Sequence, residues 1–337
     1  MTDLGKLIQI KNLRDFWPDE ARHFTPWLAK EDNLALIGET LGFGRDWLEL
    51  VELEAVVGRF SADILCQDTG SEDSFVIIEN QFGQTDHDHL GKLLTYAAGR
   101  KAKTVIWISE YIRDEHRAAL ELLNDATSED YQFFALEIEL WKIGDSAVAP
   151  RFSVIAKPNE WSRTAKTMTR RATAEGLSDL KKQYVRYWAA FRQMLADKSD
   201  LRAQKASPQQ WIHMPIGRAH FTLTANVNSR EKWIMAQLEL HQDDAAGYFE
   251  LLERDRKAID EECPFELTWE ALPHRKSARI SVKRSNTDPT AEEMWEDQHT
   301  WLVERLVTLR DVFRDRVHAL ELDEIAEKPP HSLNGDE

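Results

Sequence analysis

The chain has 337 residues, with 43 Lys and Arg against 59 Asp and Glu, for a formal net charge of −16. That acidic balance excludes a protein that coats nucleic acid indiscriminately through charge alone. Two cysteines, 42% hydrophobic residues and no apolar run of membrane-spanning length predict a globular, cytoplasmic chain without a disulfide framework or a membrane segment.

The N-terminal MTDLGKLIQIKNL lacks the basic start and continuous apolar stretch of a secretory signal. Residues 33–41 have helical spacing and end at Gly42 and Gly44, which suit a helix terminus. Residues 47–57 alternate loosely and predict a first strand, with Glu52 and Glu54 on one face. Either acid could be a metal ligand, or the two could simply face solvent. Residues 61–66 (SADILC) read as a short strand interrupted by Asp63, and Asp68-Thr-Gly-Ser-Glu-Asp as a polar turn. Residues 74–78 (SFVII) are the β-branched and aromatic run of a buried strand, which stops abruptly at Glu79-Asn80-Gln81. Asp86 and Asp88 suit a helix start, and Leu90, Leu93, Leu94 and Ala97 follow at helical spacing. Residues 104–109 (TVIWIS) predict a buried strand, 116–124 an amphipathic helix and 131–143 a further strand. A less regular segment then holds Pro150, Pro158 and Trp161.

From residue 159 onward the character changes. Residues 1–158 hold 16 basic and 28 acidic side chains, a net of −12; the remaining residues hold 27 and 31, a net of −4. Residues 164–175 are basic and predict a linker or bridging helix. Residues 180–197 form a strong helix with Tyr184, Tyr187, Trp188, Phe191 and Leu195 on one side, a stripe that reads as core. Strands are predicted over 219–227, 232–240 (with helix as the alternative), 267–272 and 278–282, and helices over 245–259 and 290–320. Arg275, Lys276 and Arg279 lie in a basic stretch that suits phosphate contact or a plain solvated surface. The tail over 326–337 is polar and predicted to be disordered.

The segment over 57–96 carries the chemistry. Side chains alternate along a strand, so Glu79 and Gln81 emerge on one side, and a hairpin brings Asp63 beside them. Two converging carboxylates repel unless one is protonated or a cation lies between them. Hard oxygen ligands of this kind suit Mg²⁺ or Mn²⁺, which can polarise a phosphate. His87 and His89, two apart on a helix start, point in different directions and lack a cysteine pair, so they do not make a zinc site. No Walker loop, no GxGxxG and no defensible nucleophile–base pair is present.

Asp63 and Glu79-x-Gln81 resemble the core of the PD-(D/E)XK nucleases, with Gln81 where that family usually has lysine. Some members carry glutamine there, and some move the lysine onto the following helix, where Lys92 stands with Tyr96 on the same face. The wording VGRFSADIL, IIENQFGQTDHDHLGKLLTYAAG, VIWIS and PNEW also resembles bacterial proteins carrying the uncharacterised DUF4268 domain, across nearly the whole chain. The resemblance implies an α/β fold: a PD-(D/E)XK restriction endonuclease-like core, a mixed sheet flanked by helices, over residues 1–160. An α+β domain would follow over 161–325. It implies a metal-dependent endonuclease acting on DNA, in defence against foreign DNA and as a homodimer, because cutting two strands needs two sites. Asp63, Glu79 and the Asn80 backbone carbonyl would hold Mg²⁺, with Glu54 as a further ligand and Glu39 as an accessory acid. Gln81 would orient water or phosphate, and Lys92 would stabilise developing charge. Tyr96, His89, Arg275, Lys276 and Arg279 would contact substrate. The rival expectation is a nuclease fold that has lost catalysis and serves as a binding or regulatory module, with Gln81 as its best argument.

Overall fold

The computed structural model describes residues 5–57, 60–71, 74–100, 102–128, 131–158, 178–242, 244–272 and 276–322. Two compact units divide the chain, Met1–Leu177 and Ser178–Glu337. The expected bridging helix over 164–175, the tail over 326–337 and Arg275 lie outside the described residues.

In the first unit seven described strands form one mixed sheet. They are β1 (Leu7–Ile10), β2 (Leu48–Val57), β3 (Phe60–Asp68), β4 (Phe75–Gln84), β5 (Thr104–Tyr111), β6 (Gln132–Ile143) and β7 (Ala149–Ala156). Their order is β1-β6-β5-β4-β3-β2, with β7 also paired to β6. A π-helical turn, Glu20–Phe24, leads into α1 (Thr25–Leu28), followed by α2 (Glu31–Leu41), α3 (His87–Arg100) and α4 (Asp114–Ala126). β4, β5 and β6 run parallel because α3 and α4 carry the chain back between them. Parallel strands are covered on both faces, and accordingly β5 is buried from Thr104 through Ser109. One face packs Val76, Ile78, Ile106 and Phe134 against Phe24, Leu28, Leu34 and Ile37. The other packs Val105, Trp107 and Phe133 against Leu93, Ala97 and Leu120. Each such side chain contributes about 1.5–3 kcal/mol on burial, enough to fix which strand faces which helix.

The second unit is a five-stranded antiparallel sheet with helices, an α+β arrangement. Its described strands are β8 (Trp211–Pro215), β9 (Phe221–Asn228), β10 (Trp233–His241), β11 (Thr268–Leu272) and β12 (Ser277–Ser285), in the order β11-β12-β10-β9-β8. Its helices are α5 (Asp179–Lys198), α6 (Ala245–Arg254), α7 (Arg256–Glu262) and α8 (Trp295–Ala319). The aromatic stripe of α5 is core: Tyr187, Trp188 and Phe191 are fully buried and join Leu302, Leu306 and Phe313 of α8 against the strands. Ser178 caps α5, its hydroxyl accepting from the Lys181 N–H at 3.4 Å.

Several elements differ from the sequence expectation. The irregular segment at Pro150 is strand β7, and residues 211–215 form strand β8. Residues 233–241 are a strand, so the helical alternative there is discarded. The predicted helix over 245–259 is two helices broken at Asp255. Cys66 and Cys263 are free, buried thiols, one in each unit. Among the described residues no helix is long and apolar enough to cross a membrane.

Candidate functional site

β3 and β4 pair from Gln67↔Phe75 to Ile64↔Ile78 and then part. The next residues are Asp63 and Glu79, where the apolar run of β4 ends. Beyond the parting, carboxylates take the places of ladder partners. The Asp63 N–H donates to Glu79 Oε2 at 3.5 Å, and the Asn80 N–H donates to Asp63 Oδ2 at 2.7 Å. Two residues further, the Phe82 N–H donates to Glu20 Oε2 at 2.6 Å. Leu53↔Ile64 and Ala55↔Ala62 leave Glu54 opposite Asp63, with φ at 51° and its carboxylate accepting from the Ser61 hydroxyl at 3.0 Å. The site thus gathers Glu20, Glu54, Asp63 and Glu79 around one split in the sheet.

Burial dominates its electrostatics. It pushes Asp63 up to about 7, an increase opposed by the Asn80 N–H and reinforced by the Glu54 and Glu20 carboxylates. Burial and then the Asp63 carboxylate push Glu79 up to about 8. Burial also raises Glu20, against its bond from Phe82 and the charges of His89, Arg14 and Lys92. Asp63 and Glu79 therefore hold a proton between them near neutral pH unless a cation joins them. Lys92, half-buried on α3, acts through space on Asp63, Glu79 and Glu20. Tyr96, one turn on, is buried among Ala55, Ala62, Leu65 and Ile77. Its hydroxyl is pushed up to about 12 by burial, then by Glu79, Asp63 and Glu54.

Gln81 shares the Glu79 side of β4, as the alternation predicts, but its amide is fully engaged. Oε1 accepts from the Trp107 indole N–H at 3.0 Å, while Nε2 donates to the Gln84 carbonyl at 2.9 Å and to Asp86 Oδ2 at 3.1 Å. Asp86 in turn accepts from the His89 N–H at 2.9 Å and lies 2.9 Å from its Nδ1. Some burial raises Asp86, but the His89 backbone and ring outweigh it and hold the carboxyl down at about 2. Gln81 and His89 thus fasten the end of β4 to the start of α3. On the opposite side of β4, the Asn80 amide bonds Thr25 Oγ1 at 3.0 Å.

The other sequence candidates lie elsewhere. Glu39 accepts from Arg45 at 3.1 Å, while the further acid beside the split is Glu20, from an N-terminal turn whose sequence carries no periodic signal. In the second unit Arg279 is paired with Glu270 at 2.7 Å and faces Glu239 across β10. Lys276 is exposed in a left-handed turn with φ at 49°.

A hard dication fits the donor chemistry. Buried Glu79 and half-buried Asp63 are neighbours that cannot both ionise cheaply, so a cation could replace the proton they hold. The N–H and C=O of a strand residue point to the same edge, so the Asn80 carbonyl faces the gap into which its N–H donates. Among the described residues no three His, Cys, Asp or Glu side chains converge on one point. An ion would therefore draw on Asp63, Glu79, the Asn80 carbonyl and water.

Residues 183–317 match a family model described as a domain of unknown function, DUF4268. That is 135 of 337 residues, all in the second unit, so the match describes that unit and leaves the split sheet of the first outside it. Neither curated proteins nor solved structures give a match to the chain.

Proposed function

We propose that the N-terminal unit is a metal-dependent nuclease of PD-(D/E)XK type that hydrolyses phosphodiester bonds in DNA. The observation that carries this reading is the exchange of Asp63 and Glu79 across the β3–β4 split, with both carboxylates raised first by burial, then Glu79 by Asp63 and Asp63 by Glu54 and Glu20. Asp63, Glu79 and the Asn80 carbonyl would hold Mg²⁺ or Mn²⁺, which when bound supplies Lewis-acid polarisation of the phosphate. Lys92 offsets negative charge that develops on the phosphate, the role the family usually gives to the third motif position. Gln81, tied to Trp107 and Asp86, positions α3 and so sets where Lys92 stands. Purified protein incubated with plasmid DNA should cut it with Mg²⁺ or Mn²⁺ and not with chelator. Lys92→Ala should lower cleavage about a hundredfold, the scale of losing one electrostatic contact at a reacting centre, with DNA binding retained.

A second reading, a nuclease fold retained as a binding module, is favoured by the same locked Gln81, which leaves no motif lysine at the phosphate. DNA binding without cleavage in either metal would support it over the first. A homodimer belongs to the first reading alone, and sedimentation of the intact chain with and without DNA checks it.

A further inference from the structure

Arg14 stands at the split without having been marked by any motif. Buried Leu13 anchors the short turn Leu13–Asp15, and the Asn12 side chain caps it by accepting from the Arg14 N–H at 3.3 Å. The exposed Arg14 guanidinium lies 5.0 Å from the centroid of the Phe82 ring and donates to the Pro18 carbonyl at 3.4 Å. Stacking on a ring restricts a guanidinium while leaving its remaining N–H donors free.

Phe82 is also the residue whose N–H binds Glu20, so Arg14 sits beside Glu20 at the end of β4. Phe82 packs on the Phe24 face of the sheet, whereas Lys92 belongs to α3 on the other face. Arg14 and Lys92 therefore approach the split from opposite faces, and both act on the Glu20 carboxylate, as does His89. The Glu20 carboxyl thus lies within reach of all three side chains' charge. His89 keeps one ring N–H on Asp86, so in its neutral form it has no second proton to donate. Arg14 carries fixed charge at any pH of interest and has forked donors suited to phosphate oxygens.

We propose that Arg14 is a phosphate-binding residue, gripping a DNA backbone phosphate beside the one that faces Lys92, an inference that rests on the nuclease reading. The overall charge of −16 makes such local cations the means by which a polyanion approaches this acidic site. The experiment uses full-length Asp63→Asn, which the nuclease reading expects to bind without cutting, and a short fluorescent DNA duplex titrated from about 50 to about 300 mM salt. Arg14→Gln in that background should weaken binding several-fold at low salt. It should reduce the slope of log affinity against log salt by about one, the signature of one lost phosphate contact. Arg14→Lys should restore most of the slope. If Arg14 only packs Phe82 and holds Pro18, both variants lower the melting temperature and leave the slope at the parent value, which overturns the proposal. No salt-dependent binding by the parent, together with no cleavage by wild type, overturns the nuclease reading and this inference with it. Parent binding with an unchanged slope overturns this inference alone.

Discussion

Trp107 donates its indole N–H to the Gln81 side-chain carbonyl at 3.0 Å, and this bond decides which way the Gln81 amide faces. With its oxygen held by a fully buried ring, the amide nitrogen can reach only the Gln84 carbonyl and Asp86. The position that resembles a catalytic lysine is thereby turned toward the start of α3.

Under the nuclease reading, Gln81→Lys should therefore not speed cleavage. The ammonium cannot accept from Trp107, and an orphaned buried N–H costs about 1–3 kcal/mol. The new charge is drawn to Asp86, away from Glu79. The expected outcome is lower stability by chemical denaturation and no gain in cleavage; a faster enzyme would show that the side chain reaches the split.

The raised carboxylates make the metal-free protein acid-preferring in this region. Asp63 and Glu79 bind protons in the fold up to about 7 and about 8, whereas in the unfolded chain they release them near 4. Their contribution is present at low pH and is lost as pH rises through those folded values. In chelator, stability should fall between about pH 4 and about pH 8, by on the order of a few kcal/mol. Asp63→Asn with Glu79→Gln should flatten that profile, as read by thermal melts across pH.

Divalent ions should reverse the same penalty. Mn²⁺ or Mg²⁺ bound only by the fold stabilises by mass action, about 2.7 kcal/mol at a hundredfold excess over Kd. The gain should be larger at about pH 8 than at about pH 6, because binding displaces the retained protons. Asp63→Asn should abolish the gain while leaving the metal-free fold intact. Calorimetric titration in two buffers of different ionisation heat would show the released protons directly.

In the second unit Arg279→Ala should act on stability and leave DNA affinity unchanged. Its guanidinium is engaged by Glu270 and faced by Glu239, so it is neutralised within the sheet. The pair is partly exposed, so its loss should cost about 0.5–1 kcal/mol. A fall in DNA affinity with unchanged stability would show that Arg279 leaves Glu270 to meet a ligand.

The β3–β4–α3 segment is legible in the sequence because each cue is local: a polar turn after Asp68, a β-branched run, then acids where burial ends. Strand alternation correctly places Glu79 and Gln81 on one side. What the cues cannot give is the set of partners. Glu20 reaches the split from forty-three positions before Asp63, through a π-helical turn. The pairing of Arg279 depends on the register of β12 against β11 and β10, which only the folded sheet fixes. Pro150 hides β7 because proline argues against a strand, yet among the described residues β7 pairs only with β6, and an edge strand tolerates it. Four residues, as in β1, are too few for alternation to register.

The two buried thiols give the protein its own clocks. A thiol-reactive dye cannot reach Cys66, which is fully enclosed, until the first unit opens, nor readily reach Cys263 until the second does. With no other cysteine in the chain, mass spectrometry of a single labelling reaction assigns each modification to one half. Added Mn²⁺ should slow the reaction of Cys66, which lies on β3 three residues from Asp63, and leave the rate at Cys263 as it was, so one tube reports both where an ion binds and how far its effect extends.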